Sequence, residues 1–249
     1  MKTIKQTLLV ALFALIATGT MKAQNQMYWI HKDNVKPAMQ AEYEKVAKEF
    51  ADACKKYNIQ DAYFTTWRHD DGAYVYSSQL KNFADMDKNA LAPLAEKMGK
   101  DKFQALFDRF DKCYDSHTSF MVTHLSDLSY MPNDKLNEGN FRKYHFFYVT
   151  PSNSKAVAQK LKEIKDLFTK KGSKEYYSIL HSGFGAPEEF YVALIGAKDE
   201  MDYEKTSTEN NKLMGDEWQK KWSEIYALMN RYEPKTGMFK EELSYTAKK

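Results

Sequence analysis

Histidine has the widest chemical reach of the side chains in this sequence, because a neutral imidazole both ligates transition metals and accepts protons near neutral pH. His31 is followed by Asp33, His69 by Asp70 and Asp71, and His117 is preceded by Asp115, while His145 and His181 lie in aromatic-rich stretches. Tyr28, Trp67, Tyr74 and Tyr76 join them as candidates, since a buried phenol or indole presents a large apolar body with one polar group that needs a partner. These nine residues, His31, Trp67, His69, His117, Tyr28, Tyr74, Tyr76, His145 and His181, are the ligand-binding candidates. Glycine-rich phosphate loops, paired-cysteine metal motifs and a nucleophile elbow are absent from the sequence. No catalytic residue can be named from residue types alone, and no cofactor or resident metal is expected.

The elements that must position these residues are read from periodicity. Met27 to His31, Ala62 to Trp67, Tyr74 to Leu80 and His117 to Leu125 have strand character, with Asp70-Asp71-Gly72 as a hairpin turn. Between them, Val35, Met39, Tyr43, Val46, Phe50 and Tyr57 mark one amphipathic helix. Phe103, Leu106, Phe107, Phe110 and Tyr114 mark another, with Asp101 as its expected cap. The order recurs downstream. Strands are expected at Tyr144 to Val149, Glu175 to His181, Glu189 to Ile195 and Gly237 to Tyr245. Helices are expected from Ser152 or Ser154 to Lys171-Gly172, and from Asp216 through Trp218, Trp222, Ile225 and Met229.

Identities support a duplication. Phe103, Gln104 and Phe107 recur as Trp218, Gln219 and Trp222, and Leu128-Ser129-Tyr130 recurs as Leu243-Ser244-Tyr245, both at an offset of 115 positions. The expected organisation is a leader at 1–23, one ferredoxin-like β-α-β-β-α-β repeat at 24–131, a linker at 132–140 and a second repeat at 141–249. Phe146 to Val149 and Phe190 to Ile195 are apolar without alternation, as in strands buried on both faces. Helices cover one face only, so the two sheets are expected to pack against each other.

In this element order and duplication the chain resembles the dimeric α+β barrel superfamily, here as an α+β fold with both ferredoxin-like units in one chain. The resemblance spans 27 to 245 and implies cofactor-free monooxygenases, haem enzymes or small ligand-binding proteins as relatives. Haem enzymes of the superfamily resemble one another in an axial histidine on a helix, whereas all six histidines here fall in expected strands or loops. The Gly-x-x-Asp-Gly motif of dye-decolourising peroxidases is also missing, since Arg68-His69-Asp70-Asp71-Gly72 lacks the leading glycine. Two functions stay open: an exported small-molecule-binding protein, and a cofactor-independent monooxygenase-like enzyme with a pocket in one repeat. A purely structural or partner-binding role stands behind them. In the expected topology His31, His69 and His117 share a rim with Asp33, Asp70, Asp71 and Asp115, and His31 and His117 lie on neighbouring strands about 4.8 Å apart. They are close enough to share a ligand or a transition metal, although exposed rim histidines beside ordinary turn aspartates are the plainer reading.

Lys2 and Lys5 precede an apolar run from Leu8 to Ala17 and small residues ending at Ala23, the pattern of a secretory leader too short to span a membrane stably. The expected destination is periplasmic or extracellular. Removing the leader takes three lysines and no acid, so the formal net charge of +3 disappears from the remainder. Nucleic acid is therefore not an expected partner, and no membrane span is expected after the leader; a small-molecule ligand and a monomer or weak homodimer are. Cys54 and Cys113, the only cysteines, are expected at opposite ends of their helices as free, buried thiols. N-terminal sequencing of exported protein should begin at Gln24; a soluble cytoplasmic product retaining Met1 would remove the leader assignment.

Overall fold

The computed structural model describes residues 25–247, so the leader at 1–23 lies outside the described residues. Strand β1 (Gln26–Val35) leads through a 3-10 turn at Pro37–Met39 into helix α1 (Gln40–Tyr57). Then follow β2 (Tyr63–His69), β3 (Tyr74–Leu80), a 3-10 turn at Phe83–Asp87, α2 (Ala92–Met98), α3 (Lys100–Asp111) and β4 (Tyr114–His124). Beyond a short turn at Pro132–Asp134 come β5 (Phe141–Tyr148), α4 (Pro151–Lys171), β6 (Tyr177–Ser182), β7 (Phe190–Ala197), α5 (Glu200–Met214), α6 (Asp216–Tyr226) and β8 (Arg231–Phe239). A 3-10 turn at Glu241–Leu243 precedes the two-residue β9 (Tyr245–Thr246). No helix of the described residues is long and apolar enough to cross a membrane.

Local chemistry sets these boundaries. Helix α1 buries Tyr43, Val46, Ala47, Phe50, Ala51 and Cys54 on one stripe and stops at Asn58, whose left-handed φ of 45° lets its N–H reach the carbonyls of Cys54 and Lys55. Helix α4 begins at Pro151, where a missing N–H costs nothing, and ends at Gly172 with φ of 63°. Asp101 and Asp216 sit inside the first turns of α3 and α6, and Gly99 and Gly215 occupy the cap positions expected for them. The last long strand starts at Arg231, six residues before the expected Gly237.

The expected pair of ferredoxin-like units packed sheet to sheet is overturned by the strand pairing. Strand order runs β3-β1-β4-β6-β7-β5-β8-β2, and β2 pairs again with β3, so eight antiparallel strands close into one barrel. Two seams join what were expected to be separate sheets: Val122↔Ser182, Thr123↔His181 and His124↔Leu180 between β4 and β6, and Trp67↔Phe239, Arg68↔Met238 and His69↔Gly237 between β2 and β8. Two open sheets would leave four unpaired edges, whereas closure pairs the edge N–H and C=O groups. Strands such as β7 are buried on both faces because one side meets the barrel interior and the other meets helices.

Three apolar clusters follow. Helices α1 and α3 pack on β2 and β3 around Tyr43, Phe50, Phe64, Tyr74 and Phe110. Helices α4, α5 and α6 cover β5, β6 and β7 around Phe147, Leu161, Phe168, Ile179 and Ile225. A third cluster contains no helix residue: Val122, Phe190 and Val192 are buried with Tyr28, Ile30, Phe120, Tyr144, Phe146, Tyr148 and Leu180 beside them, and this is the barrel interior. Cys54 and Cys113 are free and buried in the first cluster, and burial pushes the Cys54 thiol up to about 12.

Glu175, just before β6, is 5% exposed and accepts a hydrogen bond from Asn210 Nδ2 at 3.2 Å. Burial pushes its carboxyl up to about 7. A folded-state value above the unfolded one contributes stability that is complete at low pH and is lost as pH rises through about 7. Urea unfolding should therefore show Glu175→Gln gaining on the parent protein between pH 5 and pH 8, by at most about 3 kcal/mol. Parallel stability profiles would mean that Glu175 is ionised in the fold.

Candidate functional site

Strand parity decides which candidates can meet. Along β1, Tyr28 and Ile30 point into the barrel, so Trp29, His31 and Asp33 point to the helix side. Asp33 faces His117 directly across the β1–β4 ladder, and His31 faces Ser119 on β4 and Tyr76 on β3. On this side a cavity of about 620 Å³ opens between the sheet, α1, α3 and the segment from Asp85 to Leu91. Trp29, Phe50, Phe64, Leu80, Leu91, Phe107 and Phe110 form its apolar walls, and His31, Asp33, Tyr76 and Tyr114 supply polar atoms. Asp61, Asp85 and Lys88 also contribute to its lining.

The polar atoms form an ordered chain. Asp33 is 3% exposed, and its Oδ2 accepts from the Tyr43 hydroxyl at 2.6 Å. Tyr43 Oη is also 2.9 Å from Tyr76 Oη, and because the Tyr43 proton goes to Asp33, Tyr76 is the donor in that pair. Burial pushes both phenols well above the ordinary tyrosine range, so both remain protonated donors. The other carboxylate oxygen is different. His31 Nε2 lies 3.0 Å from Asp33 Oδ1, yet the approach is not that of a hydrogen bond, and no other donor among the described residues reaches that oxygen. His31 Nδ1 is 2.7 Å from Ser119 Oγ, which fixes the ring. The exposed His117 ring stands 5.2 Å from that of His31 and 5.6 Å from that of Tyr114.

On the outer face of β5 and β8 an imidazole is packed among aromatic side chains. His145 Nδ1 is 2.5 Å from Tyr232 Oη and its Nε2 is 3.3 Å from Tyr203 Oη, with Trp222 edge-on at 6.3 Å. Burial lowers the His145 imidazole to about 4, so this ring is a neutral member of the core.

The remaining candidates are dispersed. His69 does not share the rim of His31 and His117: it lies within the barrel, 4.8 Å from the Tyr144 ring, with no hydrogen bond at either nitrogen and burial lowering it to about 4. Gly237 permits that packing, because a Cβ there would stand 3.0 Å from Tyr144 and 3.2 Å from His69. Trp67 packs on Phe239 at 5.0 Å under the Arg142 guanidinium at 4.8 Å, and Tyr28 joins the interior cluster. Tyr74 packs tilted against Tyr43 at 4.5 Å and donates to Glu44 at 2.7 Å. His181 lies on Tyr191 at 4.3 Å and 3.1 Å from Glu189 Oε1. Of the acids, Asp115 pairs with Lys36 at 2.8 Å and Asp71 with Lys235 at 2.7 Å. Sequence reasoning missed Tyr43, which reads as one more apolar position of α1, although a tyrosine one turn into a helix that follows a strand Asp is a usable signal.

No protein-family profile matches the sequence, and no curated protein matches it either. By fold the chain is similar to an anthrone oxidase-like protein, with a TM-score of 0.57 at 11% identity over 92% of this chain and 96% of that one. It is similar to a candidate monooxygenase from Lactobacillus acidophilus NCFM, with a TM-score of 0.53 at 10% identity over 87% of this chain and 94% of that one. A third such structure, from Fusobacterium nucleatum subsp. nucleatum, gives 0.50 at 10% identity over 87% and 93%. At 10–11% identity the likeness is one of fold alone.

Tyr43→Phe removes the donor that satisfies a buried carboxylate oxygen and should destabilise the protein by about 1–3 kcal/mol in chemical unfolding. Tyr74→Phe, whose hydroxyl serves the partly exposed Glu44, should cost less. Equal losses would show that the Asp33 contact is not the stabilising one.

Proposed function

We propose that this chain is an exported protein that binds one small, mainly aromatic molecule in the cavity of its N-terminal half, with the molecule's polar group placed at His31, Asp33 and Tyr76. The observation that carries the reading is the cavity itself: about 620 Å³, walled largely by aromatic and aliphatic side chains, with His31, Asp33 and Tyr76 convergent on its β1 side. Volumes of roughly 300–1,000 Å³ with few convergent polar groups are usual for small-molecule sites. The leader-like N-terminus supports export.

A second reading, a monooxygenase-like enzyme, is favoured by the imidazole and carboxylate that line the same cavity. His31 there accepts the proton of an activated C–H group in the ligand. The resulting carbanion reduces dioxygen, the carbon ends as a carbonyl and the second oxygen atom leaves as water. Fold neighbours described as anthrone oxidase-like and as monooxygenases are consistent with this class.

Anthrone serves as a probe for both readings. Quenching of tryptophan emission should titrate to one site, and Ser78→Trp, which places a bulky side chain on the cavity floor across from Trp29, should weaken binding at least tenfold without loss of the folded circular-dichroism spectrum. Unchanged affinity in that variant would remove the cavity as the site. Dioxygen uptake that depends on anthrone and falls in His31→Ala selects the enzyme, and binding without uptake selects the carrier.

A further inference from the structure

We infer that His31, His117 and Asp33 form a site for one divalent first-row transition metal at the rim of this cavity. The ligand reading above assigns these residues no metal, and the inference does not require an organic ligand.

The placement follows from the ladder. His31 and Asp33 are two residues apart on β1 and therefore share a face, and His117 is the direct cross-strand partner of Asp33 on β4. One donor atom from each of the three lies within 4.8 Å of the others. A metal bonded at about 2.1 Å to each donor sets donors no more than about 4.2 Å apart. The difference is small, and His117 is exposed, so a turn of its side chain closes it. His31 Nε2 and Asp33 Oδ1 already stand 3.0 Å apart, the edge length of an octahedral site with bonds of about 2.1 Å.

A second observation points the same way. Asp33 is almost fully buried, yet its Oδ1 has no hydrogen bond, although an unpartnered buried carboxylate oxygen is costly. That oxygen is the one aimed at His31 Nε2. Ser119 Oγ engages the far nitrogen, so Nε2 is the ring atom turned to Oδ1, and a cation between them would be ligated by both. The surrounding contacts are those that orient metal ligands: Ser119 holds the far nitrogen of His31, and Tyr43 holds the far oxygen of Asp33. Two imidazoles and one carboxylate on one side leave the remaining coordination positions open, the donor set that suits ferrous iron or zinc over calcium or magnesium. His31 and Asp33 both line the cavity, so a bound ion stands at its edge.

The test uses untagged full-length protein stripped with a chelator and then titrated with zinc(II) alone in a calorimeter, and with cobalt(II) followed by its visible absorption. One equivalent should bind with a micromolar or tighter dissociation constant, and His117→Ala should weaken binding at least tenfold. Asp33→Asn should do likewise; because that position is buried, the exposed His117 variant carries the decision if the Asp33 variant misfolds. His181→Ala, at a histidine beside Glu189 but outside the site, should bind as the parent does. Absence of stoichiometric binding, or undiminished binding in His117→Ala, overturns the proposal. Anthrone binding measured in chelator tests the ligand reading separately, so either can fail alone.

Discussion

Every edge of the sheet has to find a partner, and this requirement shapes the molecule. Eight strands supply it by closing on themselves, and the two short seams, β4 with β6 and β2 with β8, are the closures that convert two possible sheets into one barrel. Once closed, each strand has an inside and an outside. The inside holds Phe120, Phe146, Phe190 and their neighbours, and the outside is left to the six helices of the described residues. Side-chain parity then becomes decisive, since a shift of one residue moves a group from a sealed interior to a surface that a cavity can reach.

The two halves use the outer face differently. In the C-terminal half, Trp222 of α6 and Tyr203 of the fifteen-residue α5 pack onto His145 of β5 and Trp222 also onto Tyr232 of β8, while Trp218 packs on Phe168 of α4. In the N-terminal half the smaller Phe103 and Phe107 of α3 pack against the first cluster, and the segment before α3 is only a 3-10 turn followed by the seven-residue α2. Less ring volume and less helix leave space above β1 and β3. The cavity forms on this side of the sheet, where Asp33 and Tyr76 already offer polar atoms.

How much of this the sequence discloses depends on the range of the interaction. Local signals were legible: the strand at Tyr74–Leu80, the stop at Gly172, and the apolar stripe of α1 all follow from residues within one or two turns of one another. The neighbourhood of His31 and His117 was legible too, because it needs only adjacency of two strands. Closure was not, because the seams rest on backbone pairing of three residue pairs each, which carries no signature in residue type. The unalternating β5 and β7 were correctly read as covered on both faces, but burial alone does not say whether a second sheet or the far wall of a barrel provides the cover. His69 was misplaced for a related reason. It sits at the end of β2, where Arg68 reaches Gln40 on the helix side, and parity therefore turns the next residue inward onto Tyr144.

The histidines show what burial decides and what it does not. His69 and His145 are both held neutral by desolvation, each lowered to about 4, His69 against the Tyr144 ring and His145 against Trp222 and Tyr232. Deep burial makes them structural. His31 keeps a side chain one third exposed beside a carboxylate that is almost wholly buried, so the charge is sequestered while the imidazole remains within reach of the cavity. A buried acid held by one tyrosine and left open on its other oxygen costs stability that an apolar residue at position 33 would not. Phe147, fully buried on the corresponding outer face of β5 across from Tyr232, shows that the same architecture accepts an aromatic side chain there. The polar choice at position 33 therefore runs against packing, and one of its two oxygens is left without a hydrogen bond from the described residues.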